Sequence, residues 1–217
     1  MKKYSTIIFD LDGTLTDSSK GIINSIIYAL EKYDINDYDM LLLKKFLGPP
    51  LHESFEKYFG FDKEKSLQAV KFYREYFSTK GLLENEVYCG VNDLLQNLKE
   101  NGKTLIVATS KPQPFTDRIM EHFDLTKYFD FIAGSNMDTS RSKKAEVIEY
   151  ALSECNIKDK SKVVMIGDRA EDIIGAQKVG IDSIGVEYGY GTFDELKNAG
   201  ATYLIKDVKS LKDFLDD

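Results

Sequence analysis

The sequence predicts an α/β fold, in which helices cover both faces of a parallel sheet and a small helical domain is inserted after the first strand. Short runs rich in Ile and Val alternate with longer stretches whose apolar residues recur at helical spacing. Runs that are apolar on successive residues suit strands buried on both faces. Strands separated by helices form parallel sheets through right-handed crossovers. The six predicted strands are Thr6–Phe9, Thr104–Ala108, Phe129–Ala133, Val163–Ile166, Ser183–Val186 and Tyr203–Ile205.

The helices between these strands end at recognisable stop signals. One helical pattern runs from Val91 to Leu98 and meets Asn101-Gly102, and another, which contains Ile173 and Val179, meets Gly180. Glycine just past the last apolar position is typical of a helix C-terminus. The chain has 217 residues. At ~150 residues per domain, this length predicts one domain with a large insertion or two small domains.

One stretch interrupts the alternation of strands and helices. It carries helical patterns without a convincing strand, separated by breakers at Asp34–Asp39, Gly48-Pro49-Pro50 and Gly60. The stretch is too long for a single crossover, so we expect it to form a separate helical domain. The predicted domains are an α/β core formed by residues 1–15 and 84–217 and a helical domain formed by residues 16–83.

The composition limits the partners and the compartment. The chain has 29 Lys and Arg against 36 Asp and Glu, a net charge of −7. An acidic surface repels nucleic-acid backbones and anionic lipid, so we expect neither a nucleic-acid polymer nor a membrane as partner. Cys89 and Cys155 cannot build a disulfide framework or a zinc cluster. The first apolar run, Ile7–Phe9, is too short for the core of a signal peptide, and we expect a cytoplasmic protein with reduced thiols.

Acidic and hydroxyl residues follow three of the predicted strands at the point where each strand ends. Taken singly, each position also fits a turn or a helix cap. Open parallel sheets bind their ligands at the carboxyl ends of the strands. We therefore expect these side chains around one rim of the sheet: Asp10, Asp12, Thr109, Asp168 and Asp172.

Several carboxylates at one rim require a compensating charge. Each close pair repels by ~4 kcal/mol at an effective dielectric constant of about 20. Oxygen ligands with acidic side chains suit Mg²⁺. Arg141, Lys143 and Lys144 precede a predicted helix, and they fit either a solvated basic turn or the fixed positive charge that a phosphoryl-transfer site needs.

Four segments together resemble the motifs of haloacid dehalogenase-like hydrolases. They are the run from Asp10 to Leu15, the strand ending at Thr109, a lysine near position 144 and the run from Gly167 to Asp172. The resemblance covers essentially the whole chain and implies a Rossmann-like core with the inserted helices as a mobile cap. Within the family, the chain is similar to phosphoglycolate phosphatases with a helical cap. Three segments favour the branch of 5′-nucleotidases: Gly48–Leu51, Ala108–Pro112 and Lys144–Ile148.

The resemblance implies hydrolysis of a small phosphate monoester through an aspartyl-phosphate. Asp10 would be the nucleophile, and Asp12 would protonate the leaving alkoxide and then activate water. Mg²⁺ would be held by Asp10, Asp168 and the main-chain carbonyl of Asp12, with Asp172 as a further ligand or an orienting residue. Thr109 and Lys144 would contact the phosphoryl group. The remaining predicted phosphate-binding residues are Gly13, Thr14 and Ser110.

The lysine departs from the commoner family pattern, in which Lys-Pro is followed by another proline. Here Lys143 and Lys144 lead directly into the helix. Lys144 fits the spacing of the nucleotidase branch better, and Lys143 stays open as the alternative.

The sequence offers several candidate residues for substrate recognition, each with a structural alternative. Arg74 falls on the apolar line of its helix with Val70 and Phe77. It either packs its stem and extends its guanidinium to water or binds a carboxylate or phosphate of the substrate. His52 is a second candidate, with an exposed surface position as the alternative. Tyr188 and Tyr190 could stack on a base or pack at the rim.

Other functions remain as alternatives. A phosphomutase of the same family is one, although the helical domain shows no basic cluster for a second phosphate. A phospho-accepting receiver domain is another, but it needs neither an acid two residues after the acceptor nor a helical insertion. No glycine-rich loop of a nucleotide-binding protein is found. The choice between phosphoglycolate and nucleoside 5′-monophosphates, and between monomer and dimer, stays open.

Overall fold

The computed structural model describes residues 4–138 and 140–216 of the chain. Residues 1–3, 139 and 217, which belong to the predicted core domain, lie outside the described residues. The chain divides into two compact units. The first comprises Met1–Asp17 and Val87–Asp217, and the second comprises Ser18–Glu86.

A six-stranded sheet forms the centre of the first unit. The strands in chain order are β1 (Thr6–Phe9), β2 (Thr16–Asp17), β3 (Glu86–Val87), β4 (Thr104–Pro112), β5 (Phe131–Ser135), β6 (Val163–Gly167), β7 (Asp182–Val186) and β8 (Tyr203–Ile205). The large sheet has the order β5-β4-β1-β6-β7-β8, and all of its pairings are parallel. The predicted α/β fold class is therefore confirmed. Strands β2 and β3 form a separate two-stranded sheet.

Several details of the strands differ from the prediction. Strand β5 begins and ends two residues later than predicted, and strands β2 and β3 were not predicted. Strand β4 continues four positions past Ala108 to Pro112, with a shift of register against β5 between these two residues. Strand β2 lies in a stretch for which no strand was predicted. It is only two residues long, which is too short to produce a recognisable alternation of apolar and polar positions.

Strand β1 lies between β4 and β6, so it is covered on both edges and both faces. Ile8 pairs in register with Ile106 on one side and with Met165 on the other, and all three side chains are fully buried. The carboxyl ends of β1, β4 and β6 consequently lie side by side, and they carry the acidic and hydroxyl residues singled out in the sequence.

The described residues form ten α-helices. They are α1 (Ser19–Glu31), α2 (Met40–Lys44), α3 (Leu51–Phe59), α4 (Lys63–Phe77), α5 (Val91–Glu100), α6 (Gln113–His122), α7 (Lys144–Glu154), α8 (Ala170–Val179), α9 (Phe193–Asn198) and α10 (Val208–Asp216). Helices α1 to α4 belong to the second unit and the rest to the first. Helices α7 and α8 pack against the sheet and each other in one apolar cluster. Within the described residues, no helix combines the length and the apolar character needed to cross a membrane.

The second unit is built from α1 to α4. Helix α4 packs against α1 and α3. The core of the second unit is rich in aromatic rings. Those of Phe46, Phe55, Phe59 and Phe61 pack in pairs with ring centroids no more than 6.5 Å apart. Helix α3 ends at Gly60, whose φ of 64° is left-handed, the conformation that favours glycine at a helix C-terminus.

Candidate active site

The turn that follows β1 brings the first two acidic residues to the rim of the sheet. The carbonyl of Leu11 accepts hydrogen bonds from the main-chain N–H groups of Thr14, Leu15 and Thr16, and Gly13 N–H donates to the carbonyl of Thr16. Gly13 has a φ of 80°, and a Cβ added there would lie 2.2 Å from Asp168 Oδ2. Glycine is therefore required both for the turn and for the close approach of the two loops.

Three buried carboxylates meet at this rim. Asp10, Asp168 and Asp172 each offer one oxygen, and these oxygens all lie within 4.8 Å of one another. The three residues are 8%, 0% and 1% exposed, respectively. The cluster has the ligand type and the compactness that could hold a metal ion.

Lys144 connects two members of the cluster. Its Nζ lies 2.7 Å from Asp10 Oδ1 and 2.7 Å from Asp172 Oδ1, and it also donates to the carbonyl of Ala108. Lys144 is the first residue of α7 and is buried. Lys143, the alternative motif lysine, is the exposed N-cap of this helix.

Helix α8 carries both Asp172 and a glycine that allows the side chain of Lys144 to approach it. Asp172 Oδ2 accepts a hydrogen bond from Arg169 N–H at the start of the helix. The sequence pattern also fitted Asp168 as the N-cap of this helix. The structure places Arg169 at the N-cap, so Asp168 is not the capping residue. A Cβ on Gly175 would lie 2.8 Å from Lys144 Cγ, so this glycine lets the lysine stem pass along α8.

Asp168 is oriented by two donors from different loops. Thr14 Oγ1 donates to Asp168 Oδ1 at 3.2 Å, and the main-chain N–H of Tyr190 donates to Asp168 Oδ2 at 2.7 Å. The segment after β7 packs tightly here, since a Cβ on Gly189 would lie 2.3 Å from Asp168 Cβ. The hydrogen bond from the Tyr190 backbone to Asp168 was not predicted. The signal in the sequence was the pair of glycines, Gly189 and Gly191, on either side of Tyr190.

Tyr188 and Tyr190, the two tyrosines of this segment, form hydrogen bonds with other residues of the first unit. Tyr188 donates its hydroxyl to the carbonyl of Thr14 at 3.0 Å, and its ring meets Tyr88 edge to face. The hydroxyl of Tyr190 lies 3.2 Å from Asp17 Oδ1. Both side chains thus fasten the segment after β7 to the chain that leaves β1.

A second buried lysine was missed by the sequence analysis. Lys111 Nζ lies 2.6 Å from Asp12 Oδ2, with side-chain exposures of 6% and 22%. Asp12 Oδ1 is buried and has no hydrogen-bond partner within the described part of the chain. The position of Lys111, two residues after Thr109 at the end of a predicted strand, was the signal that could have identified it.

The remaining predicted phosphate-binding residues occupy different environments. Thr109 is 2% exposed, and its Oγ1 accepts a hydrogen bond from Lys111 N–H at 3.2 Å. Ser110 is exposed. Gly13 and Thr14 lie in the turn described above, where the amide of Gly13 and the hydroxyl of Thr14 are already engaged.

The predicted substrate-binding residues of the second unit are described separately. Arg74 lies on α4 and is half-buried, and its assignment stays a prediction. His52 lies on α3 with its Nε2 3.9 Å from Glu53 Oε1, and the His52 side chain is 46% exposed.

Burial and like charges dominate the electrostatics of the cluster. Burial, together with the charges of Asp172 and Asp10, raises the pKa of Asp168 well above its ordinary value. Burial also raises the pKa of Asp172, against the attraction of Lys144. Burial alone would lower the pKa of Lys144, but the charges of Asp10 and Asp172 hold it above its usual value. The raised pKa values of Asp168 and Asp172 indicate that Lys144 does not fully compensate the negative charge of these two carboxylates.

The net charge of the ionisable groups at the site matches that of a divalent cation with opposite sign. Four carboxylates and two ammonium groups leave two negative charges in excess when all six groups are ionised. An all-oxygen donor set is the one that Mg²⁺ and Ca²⁺ prefer. The six groups belong to Asp10, Asp12, Asp168, Asp172, Lys111 and Lys144.

The sheet order and the acidic rim define an α/β enzyme whose site lies at the carboxyl ends of adjacent strands. Residues 7–186 match the family model described as haloacid dehalogenase-like hydrolase. The chain belongs to the haloacid dehalogenase-like hydrolase family, as its motifs predicted, and it is an enzyme of that family.

Three relatives place the chain within the family. A 5′-nucleotidase of Pseudomonas aeruginosa is 41% identical over 214 residues, which cover 99% of this chain and 96% of that protein. Tyrosine-protein kinase PtkA of Mycobacterium tuberculosis is 38% identical over 196 residues, 90% of this chain and 66% of that protein. The crystal structure of a predicted phosphatase from Clostridium acetobutylicum has a TM-score of 0.92 and 50% identity, and the match covers 98% of both chains.

Proposed function

We propose that the protein is a Mg²⁺-dependent phosphatase that hydrolyses small phosphate monoesters through an aspartyl-phosphate on Asp10. The observation that carries this proposal is the position of Lys144, whose ammonium lies 2.7 Å from both Asp10 and Asp172. A fixed cation beside the proposed nucleophile can neutralise charge on the transferred group without reorganisation. The similarity to the 5′-nucleotidase over nearly the full length of both chains supports the same activity.

In the first step, an Asp10 carboxylate oxygen attacks phosphorus in line with the leaving oxygen. The new bond joins Asp10 to phosphorus, the bond from phosphorus to the leaving oxygen breaks, and Asp12 gives that oxygen its proton. In the second step, Asp12 takes a proton from water, and the water oxygen attacks the same phosphorus. The bond between Asp10 and phosphorus breaks, which releases inorganic phosphate. Asp10 and Asp12 return to their starting states, so both steps balance.

Asp10, Asp168 and the main-chain carbonyl of Asp12 would hold Mg²⁺, with Asp172 as a further ligand or an orienting residue. When bound, the ion supplies positive charge to the carboxylates and to the phosphoryl oxygens. The hydrogen bonds from Thr14 and Tyr190 to Asp168 orient this ligand. Thr109, Ser110, Gly13 and Thr14 complete the proposed phosphate-binding residues.

The helical unit is the proposed cap, and Arg74 is its proposed substrate-binding residue. An arginine there would favour substrates with a carboxylate or a second phosphate. Arg74→Ala is expected to raise KM for good substrates while leaving kcat largely unchanged. An unchanged KM for every good substrate would remove Arg74 from the proposal.

Nucleoside 5′-monophosphates are the first substrate class to test, because the P. aeruginosa relative is named a 5′-nucleotidase. The second is 2-phosphoglycolate. Transfer of a phosphoryl group to a protein tyrosine is the alternative that the similarity to PtkA favours, because that relative is named a tyrosine-protein kinase. The kinase reaction uses a tyrosine hydroxyl as acceptor, whereas the phosphatase reaction uses water.

The experiment measures phosphate release from both substrate classes with Mg²⁺ and with a chelator, using wild type and Asp10→Asn. We expect Mg²⁺-dependent release by wild type and a loss of about 1000-fold or more in the variant. Release that persists in Asp10→Asn, or transfer to tyrosine without release from any monoester, would contradict the proposal.

A further inference from the structure

We infer that Lys111 is a positioning residue that fixes the orientation of the Asp12 carboxyl group. This inference rests on the proposed phosphatase function, in which Asp12 exchanges a proton with the leaving group. It assigns a distinct task to each buried lysine: Lys144 contacts Asp10 and Asp172, and Lys111 contacts Asp12.

The backbone holds Lys111 in a defined position. The main-chain N–H of Lys111 donates a hydrogen bond to Thr109 Oγ1 at 3.2 Å. The hydroxyl of Thr116 donates to the main-chain carbonyl of Lys111 at 3.3 Å. The residue lies where the register of β4 against β5 shifts, between Ala108 and Pro112. These hydrogen bonds hold the backbone of Lys111, and burial of its side chain, which is 6% exposed, restricts the position of the ammonium.

The contact distinguishes the two oxygens of Asp12. Oδ2 lies 2.6 Å from the Lys111 ammonium, and an oxygen that accepts from an ammonium is not the one that carries a proton. Oδ1 is buried and has no hydrogen-bond partner among residues 4–138 and 140–216. The contact therefore holds one oxygen of Asp12 and, with it, the orientation of the whole carboxyl group.

Orientation matters because proton transfer in the transition state requires hydrogen-bond distance between the acid and the leaving oxygen. Without Lys111, the Asp12 carboxylate gains rotational freedom, and proton donation to a poor leaving group slows. A good leaving group departs without a proton, so its release is affected much less. Loss of Lys111 should thus depend on the leaving group.

The experiment compares kcat/KM for p-nitrophenyl phosphate and for an alkyl phosphate that wild type hydrolyses, both with Mg²⁺. This constant includes only steps up to departure of the leaving group, so the second half-reaction does not enter. We expect Lys111→Met to lower kcat/KM for the alkyl phosphate about 10-fold more than for p-nitrophenyl phosphate. Lys111→Arg should recover part of the difference.

The matched control is Lys103→Met, the same substitution just before the opposite end of β4. Lys103 Nζ donates to the carbonyl of Tyr4, so the control removes a partly buried lysine contact outside the site. Both kcat/KM values should remain near wild type in this control. If Lys111→Met does not fold, Lys111→Gln serves for the same comparison.

A double variant separates positioning from substrate binding. If Lys111 acts through Asp12, adding Lys111→Met to Asp12→Asn should cause no further leaving-group-dependent loss. Equal losses for the two substrates would overturn the inference and make Lys111 a ligand of the phosphoryl group. Failure of the proposed function is a different result, because wild type would then hydrolyse neither substrate.

Discussion

The main-chain N–H of Tyr190 donates a 2.7 Å hydrogen bond to Asp168 Oδ2. A segment that follows β7, and that carries no acidic ligand itself, therefore orients the most deeply buried carboxylate of the site. Thr14 supplies the opposing donor to Oδ1. Asp168 thus depends on two loops that are far apart in sequence, and its geometry is sensitive to changes in either one.

The first prediction concerns the close packing of Gly189. A Cβ there would lie 2.3 Å from both Asp168 Cβ and the Gly13 carbonyl oxygen, so Gly189→Ala must displace one of the two loops. We expect a loss of about 1–3 kcal/mol of stability and a large loss of activity. Thermal unfolding and phosphate release measure the two effects.

Gly102→Ala is the control for this substitution. Gly102 has a left-handed φ of 68° and open space around its Cβ position, so alanine there costs about 1 kcal/mol of backbone strain only. Activity per folded molecule should remain unchanged in the control. Unchanged activity in Gly189→Ala would show that the packing against Asp168 is not needed.

The second prediction separates the two adjacent lysines. Lys144→Ala leaves Asp10 and Asp172 without their shared cation, and we expect activity to fall by on the order of 100-fold or more. Lys143→Ala removes an exposed side chain and should leave kcat/KM near wild type. The opposite pattern, with loss only in the Lys143 variant, would refute the assignment of Lys144.

The third prediction concerns metal-dependent stability. Because the carboxylates outnumber the lysines at the site, Mg²⁺ should raise the unfolding temperature of wild type by binding the folded state. Asp168→Asn should lose this increase. With a chelator present, the variant should be at least as stable as wild type, because burial and like charges oppose ionisation of Asp168.

Asp93→Asn, which alters an exposed carboxylate on α5, is the control and should respond to Mg²⁺ as wild type does. A Mg²⁺-induced increase of equal size in Asp168→Asn would place the metal elsewhere.

The fourth prediction concerns acid stability at Asp130. Burial acts to raise the pKa of this carboxyl, but hydrogen bonds from Lys99 and from Leu105 N–H outweigh it and hold the pKa below its ordinary value. Stability from these bonds is present above the unfolded-state pKa of ~3.9 and is lost as pH falls through the lower folded-state value.

Asp130→Asn should therefore reduce the free energy of unfolding by about 0.5–1 kcal/mol at neutral pH, since the group is exposed. The difference from wild type should shrink below pH of about 4. Urea unfolding at several pH values measures it. A difference that grows toward low pH would mean that the sign of the pKa shift is wrong.

The sheet was predictable from the sequence because each strand is a short apolar run bounded by breakers. Strand β4 was predicted too short, because Ser110 and Lys111 look like loop residues, although the chain remains extended to Pro112. The rim of acidic residues followed from parallel topology alone, since it requires only that strand ends lie together. Its compactness, with three oxygens within 4.8 Å, depends on side-chain conformations that no spacing encodes.

The contacts of Lys111 and Tyr190 could not be predicted in the same way. Lys111 lies in the part of β4 where the register against β5 shifts, and irregularities of this kind change the direction in which a side chain points. The contact of Tyr190 is a main-chain hydrogen bond, for which any residue type except proline can serve. Only Gly189 and Gly191 mark the place, and glycines are also common in ordinary turns.

The central place of β1 has a consequence for biosynthesis. Ile8 pairs with Ile106 and Met165, so the strand that leads to Asp10 acquires its second neighbour only when most of the polypeptide has left the ribosome. Such non-local pairing is slow to form, and an uncovered strand edge invites self-association in the meantime. Premature termination before β6 should therefore yield aggregation-prone fragments without catalytic competence.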